Sequence, residues 1–185
     1  PGRPDTLPTR VVIPAIFAVL VAHGVVPIHA SADMHRGRAI VMPGRSGRGK
    51  STLAAALAAH GDAFLADDRL LAWREGERVM VTPSFELGNP FTRWVGRRPE
   101  ASPPPPPRRA PAFGVVAEIG AVVFPEVRAG VLSALEPLSA GEALARLATS
   151  CAVDWPFAPP ALTAHRLTLG EDAGTVIAQF ISKRG

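Results

Sequence analysis

Within the stretch PGRSGRGKST, Gly44, Gly49, Lys50 and Ser51 stand at the spacing G-x-x-x-x-G-K-[ST], the pattern of a loop that wraps backbone N–H groups around a phosphate. Each residue type has a reason to be there. Glycines at 44, 47 and 49 let N–H groups turn inward with no Cβ in the way, and a helix starting directly afterwards brings its positive end to the anion. Lys50 supplies a mobile point charge able to bridge β- and γ-phosphates, and the Ser51 hydroxyl is the expected Mg2+ ligand. Arg45, Ser46, Arg48 and Thr52 fill out the same nucleotide-binding segment. The ligands this chemistry calls for are a nucleotide and Mg2+.

Two more groups can take part. Asp67 and Asp68 end the apolar run AFLADD. Neighbours on a strand point to opposite faces, so one carboxylate can hold Mg2+ while the other takes the proton of an attacking hydroxyl, or one of them merely caps the turn that follows. Glu126, behind AVVFP, is the weaker rival for the metal. His29, in PIHAS, comes near the loop if AIVMP pairs beside it, although a histidine alone on a strand is more often structural.

The elements that must position these residues follow from the pattern of apolar residues. The run VVIPAIFAVLVA predicts a buried helix ending near His23 and Gly24. Arg3 and Arg10 before it and HASA after it mimic a secretory signal, but about 12 apolar residues are too few to span a bilayer. A cut there would also fall just before the phosphate loop, so a cytoplasmic protein without membrane contact is expected. Next come a strand, VVPIHASAD, a turn, MHRGR, and a second strand, AIVMP, running into the loop. KSTLAAALAAHG is a strong helix former closed by Gly61, and AFLADD returns as a strand. This order predicts a βαβ unit whose right-handed crossover brings the end of AFLADD to the loop.

Beyond it, RLLAWREGERVMVT reads as a hairpin turning at Gly76, and the segment Pro83–Pro111, with its run PPPPPRR, as an exposed loop. AFGVVAEIGAVVF and AHRLTL have strand pattern. Ser139 and Glu142, three apart, form a capping box for a helix over SAGEALARLATS, and EDAGTVIAQFISKRG predicts a closing helix.

Composition bounds the rest. A chain of 185 residues, 47% hydrophobic and 19% charged, is expected to fold as one domain over residues 1–185. Its net charge of +4 is carried largely by scattered arginines, with no basic stripe or nucleic-acid motif, so nucleic acid is not an expected partner. The single cysteine, Cys151, can make no internal disulfide and has no metal-ligand spacing around it.

Taken together, PIHAS, PGRSGRGKST and AFLADD resemble the catalytic domain of HPr kinase/phosphorylase and its relatives, which share a P-loop core with phosphoenolpyruvate carboxykinases. The match runs roughly from Val25 to Val81. It implies an α/β fold with a P-loop core and a mixed β-sheet flanked by helices. It also implies an ATP- and Mg2+-dependent kinase acting on a Ser or Thr hydroxyl of a small protein or peptide, and suggests a homo-oligomer. Carried onto this chain, the resemblance gives His29 and Asp68 to proton transfer, Lys50 and the loop Gly44–Ser51 to the phosphates, and Ser51 and Asp67 to Mg2+.

The chain departs from the family's HPr-directed enzymes in having Thr52 where they usually carry Glu, and Arg45 and Arg48 where they have small residues. It also lacks their EIRG signature. These departures point to the smaller relatives, some of which look like peptide-tailoring kinases. A small-metabolite kinase and a nucleotide-binding sensor or assembly protein with little turnover are the alternatives. An ABC-type ATPase is disfavoured, because no LSGGQ-like segment or late Walker B strand is present. One of Arg93, Arg97, Arg98, Arg108 and Arg109 could steady a transferring phosphoryl group, with a solvated basic loop as the plainer reading.

Overall fold

The structure is a computed structural model, described here for residues 12–45, 47–50, 53–54, 57, 63–66, 69–84, 114–151, 162–170, 172 and 179. The named elements are α1 (Ile13–Ala22), β1 (Val26–Ile28), β2 (Ala30–His35), β3 (Arg38–Pro43), β4 (Ala63–Ala66), β5 (Leu70–Glu75), β6 (Arg78–Pro83), β7 (Ala117–Val127), β8 (Ala134–Pro137), α2 (Ala140–Ala148) and β9 (Ala164–Leu169). All nine described strands share one mixed sheet. Its order is β1-β5-β6-β7-β3-β2-β4, with β9 against β7 and β8 against β9.

Local chemistry accounts for the hairpins. β2 and β3 are joined by Arg36 and Gly37, both left-handed at φ 49° and 78°, the backbone that a two-residue hairpin turn needs to match the twist of its strands. β5 and β6 also turn over two residues, Gly76 and Glu77, of which Gly76 is left-handed at φ 61°. The 11-residue β7 organises the centre: β3 lies parallel along one edge, while the other edge pairs with β6 at its start and with β9 at its end.

Alternation along β3 and β7 gives the sheet two apolar faces. Ala39, Val41, Val122 and Phe124 face a core shared with Ala143 and Leu147 of α2. Ile40, Met42 and Val123 face a second core with Leu53, Ala54 and Leu57, the buried side of the helix after the glycine loop. Burying a leucine such as Leu57 contributes about 1.5–3 kcal/mol, so this face fixes the helix, and with it the loop, against β3. At α2 the expected capping box is present. The Ser139 hydroxyl accepts the Glu142 N–H at 3.4 Å, and the Glu142 carboxylate accepts the Ser139 N–H at 3.1 Å.

Several expectations are corrected. VVPIHASAD is not one strand, because the chain changes partners at His29: β1 pairs with β5, whereas β2 pairs with β3 and β4. β3 and β4 are parallel, as the expected crossover requires, but one strand stands between them: β4 pairs antiparallel with β2, which is itself antiparallel to β3. The hairpin already occupies that edge of β3.

The apolar helix forms and stops at His23 and Gly24 (φ 77°), yet it is not buried, since Val19 is 59% exposed. Among the described elements it packs chiefly against β1, and Arg69 lies over its Phe17 ring. β8 was not anticipated, because its residues are mostly exposed and show no alternation. Of the expected closing helix only Asp172, in a turn, and Gln179, which is helical, are described. The Pro-rich segment beyond Ser84 lies outside the described residues. No described helix is long and apolar enough to cross a membrane.

Candidate functional site

The glycine loop leaves the end of β3 and runs into a helix that begins at Lys50, where the Leu53 N–H donates to the Gly49 carbonyl at 2.8 Å. Gly44, Gly47 and Gly49 take φ values of 144°, 86° and 91°. Such backbone is costly for residues carrying a Cβ, and it turns successive N–H groups toward one side. Gly49 is further constrained by packing: a Cβ there would come within 2.8 Å of Leu169 Cδ1 and 2.9 Å of Val127 Cγ2. The loop is therefore seated on the C-terminal ends of β7 and β9.

His29 occupies the break between β1 and β2, and its backbone is held from two directions. Its N–H donates to the Ser150 carbonyl at 2.9 Å, just past α2, and its own carbonyl accepts the Gly44 N–H at 3.4 Å. The first residue of the loop and the histidine are thus neighbours. On the side-chain level they are joined by Lys50, which is only 6% exposed. Its ammonium donates to the Arg45 carbonyl at 3.1 Å and to His29 Nε2 at 3.3 Å. A buried ammonium needs acceptors of this kind, and the second contact requires a neutral imidazole with its proton on Nδ1.

Arg45 and Arg48 are exposed to solvent at the rim of the loop. Ser46, Ser51, Thr52, Asp67 and Asp68 lie outside the described residues, as do Arg93, Arg97, Arg98, Arg108 and Arg109. β4 ends at Ala66, across from Ala32 of β2, so the aspartate pair follows directly on a strand two places from β3. Among the described residues no group of three or more His, Cys, Asp or Glu side chains is placed to hold a metal ion.

Glu126 does not compete for that role. Alternation sends Pro125 and Val127 toward Gly49 and Glu126 to the other face. There its carboxylate accepts hydrogen bonds from Arg146 of α2 at 2.5 Å and from Arg128 at 3.2 Å. The hydrogen bond from Arg146 holds this carboxyl below the usual range, with the charges of both arginines adding to it and partial burial opposing. Sequence reasoning missed three supports of the site: the Ser150 carbonyl, Val127 and Leu169. The only signal for the last two was their place at the ends of apolar runs, and Ser150 carried none.

No protein-family model and no curated protein matches the chain. Among solved structures it has a distant likeness to the HPr(Ser) kinase/phosphatase from Coxiella burnetii, at 12% sequence identity and a TM-score of 0.42, over 85% of this chain and 94% of that one.

Proposed function

We propose that the chain is an ATP- and Mg2+-dependent kinase that transfers the γ-phosphoryl group to a Ser or Thr hydroxyl of a small protein or peptide. The observation that carries the proposal is the placement of Lys50, whose buried ammonium joins the Arg45 carbonyl inside a three-glycine loop to His29 at the break between β1 and β2. An anion entering the loop would take over the ammonium from Arg45 O, and the positive end of the helix would add to its binding. The γ-phosphoryl group would then lie on the His29 side of the loop.

In this reading Lys50 bridges the β- and γ-phosphates, while Ser51 and Asp67 would hold Mg2+, which supplies charge neutralisation when bound. The acceptor oxygen attacks phosphorus as the bond to the β-phosphate oxygen breaks. ADP leaves, and the hydroxyl proton passes to Asp68, with His29 assisting the transfer. The sequence resemblance supports the assignment of these roles, and the contact between His29 and Lys50 supports the placement of two of them.

The test is to incubate the protein with γ-labelled ATP, Mg2+ and the products of its neighbouring genes. Wild type is expected to label a small protein or peptide. Asp68→Asn should still bind ATP but lose transfer, and Lys50→Met should lose both. Labelling of a metabolite instead would move the proposal to a small-molecule kinase. If no acceptor is labelled and Asp68→Asn keeps full biological activity, the chain is a nucleotide sensor and the kinase reading is wrong.

A further inference from the structure

The loop has two flanks. His29 and the end of β4 lie on the side of β2, and β7 and β9 lie on the other. A nucleotide is a linear ligand, so if its γ-phosphoryl group lies beside His29, its nucleoside must leave the loop over the ends of β7 and β9. Three apolar side chains stand exposed in that direction: Val127 at 60%, Val131 at 41% and Leu132 at 76%. Val127 packs against Gly49, which sets one of these side chains at the loop itself.

The segment that carries Val131 and Leu132 is held firmly to the end of β9. The Arg128 N–H donates to the Leu169 carbonyl at 3.2 Å, the Gly170 N–H to the Ser133 hydroxyl at 2.8 Å, and the Ser133 N–H to the Asp172 carboxylate at 2.6 Å. Gly170 lies so close to the Val131 carbonyl that no Cβ fits between them. Exposed apolar side chains on so well-tied a segment make a preformed surface, which loses little entropy when a flat ligand covers it.

We propose that Val127, Val131 and Leu132 form the platform on which the base of the bound nucleotide lies, in apolar contact with its face. The inference rests on the phosphate-binding reading above, and the test separates the two. Affinities for MgATP and for magnesium tripolyphosphate, which has the phosphates but no base, are measured for wild type, for the double variant Val131→Ser/Leu132→Ser, which leaves the Val127 contact with Gly49 in place, and for Lys50→Met. The double variant should bind MgATP about tenfold more weakly, from lost apolar burial, with tripolyphosphate affinity unchanged. Lys50→Met should weaken both ligands.

If the double variant binds both ligands as wild type does while Lys50→Met weakens both, the platform is refuted and phosphate binding stands. Equal weakening of both ligands by the double variant would also refute it, since the residues would then be supporting the loop rather than meeting a base. If Lys50→Met leaves both affinities unchanged, the phosphate reading fails and the platform fails with it.

Discussion

Replacing Gly49 by alanine separates backbone strain from packing at the loop. At φ 91° any Cβ is strained, at a cost of about 1–2 kcal/mol. At this position the Cβ would also meet Leu169 and Val127 at 2.8 and 2.9 Å. Val127 is exposed and can yield, but Leu169 is 5% exposed within the second core, so overpacking adds about 1–3 kcal/mol. Gly47 supplies the control. Its φ of 86° is nearly the same, and a Cβ there would meet nothing within 4 Å.

Both alanines restrict the unfolded chain equally, by about 0.4–1 kcal/mol, and that effect cancels in the difference. Urea unfolding at pH 7 should therefore show Gly49→Ala less stable than Gly47→Ala by about 1–3 kcal/mol, with equal slopes. If the two variants unfold at the same midpoint, Gly49 is not seated on β7 and β9. The surface proposed for the base would then no longer adjoin the loop.

Two further outcomes can be checked. Glu126→Gln should cost about 1 kcal/mol at neutral pH, through the weakened pairing with Arg146. Because the folded-state pKa of Glu126 is lowered, the wild-type advantage should be complete above the unfolded value of about 4.3. It should disappear as the pH falls through the lower folded value, which denaturation curves of both proteins across acid pH would show. A gap that stays constant in acid would contradict the pairing. Burial pushes the Cys151 thiol up to about 11, so alkylation at pH 8 should be about a hundredfold slower in the native protein than in urea; similar rates would show the thiol to be open to solvent.

What the sequence revealed depended on how far each feature reaches along the chain. The β2–β3 hairpin is local, and counting outward from the Arg36–Gly37 turn places Ala30 opposite Pro43, hence His29 beside Gly44. That is why the nearness of His29 to the loop could be anticipated. The capping box at Ser139 and the turn at Gly76 are equally local. The break at His29 was not legible, since distant partners on β5 and β4 create it. Nor was the exposure of α1, because an apolar run shows a preference for burial without saying whether a neighbour exists to provide it. β8 owes its place to β9, and its own residues carry no alternating pattern.

The seating of the loop also has a consequence for the order in which the molecule is made. His29, Gly44 and Lys50 are synthesised before the groups that fix them, the Ser150 carbonyl and the side chains of Val127 and Leu169. The pairing of β3 with β7 likewise joins residues far apart in sequence, and such contacts form late because the intervening chain must first be closed. A nascent chain that has emerged only through β6 would carry every residue of the loop without the surface that holds it. On the proposed reading, the loop would be held in its phosphate-binding shape only once β9 has been made.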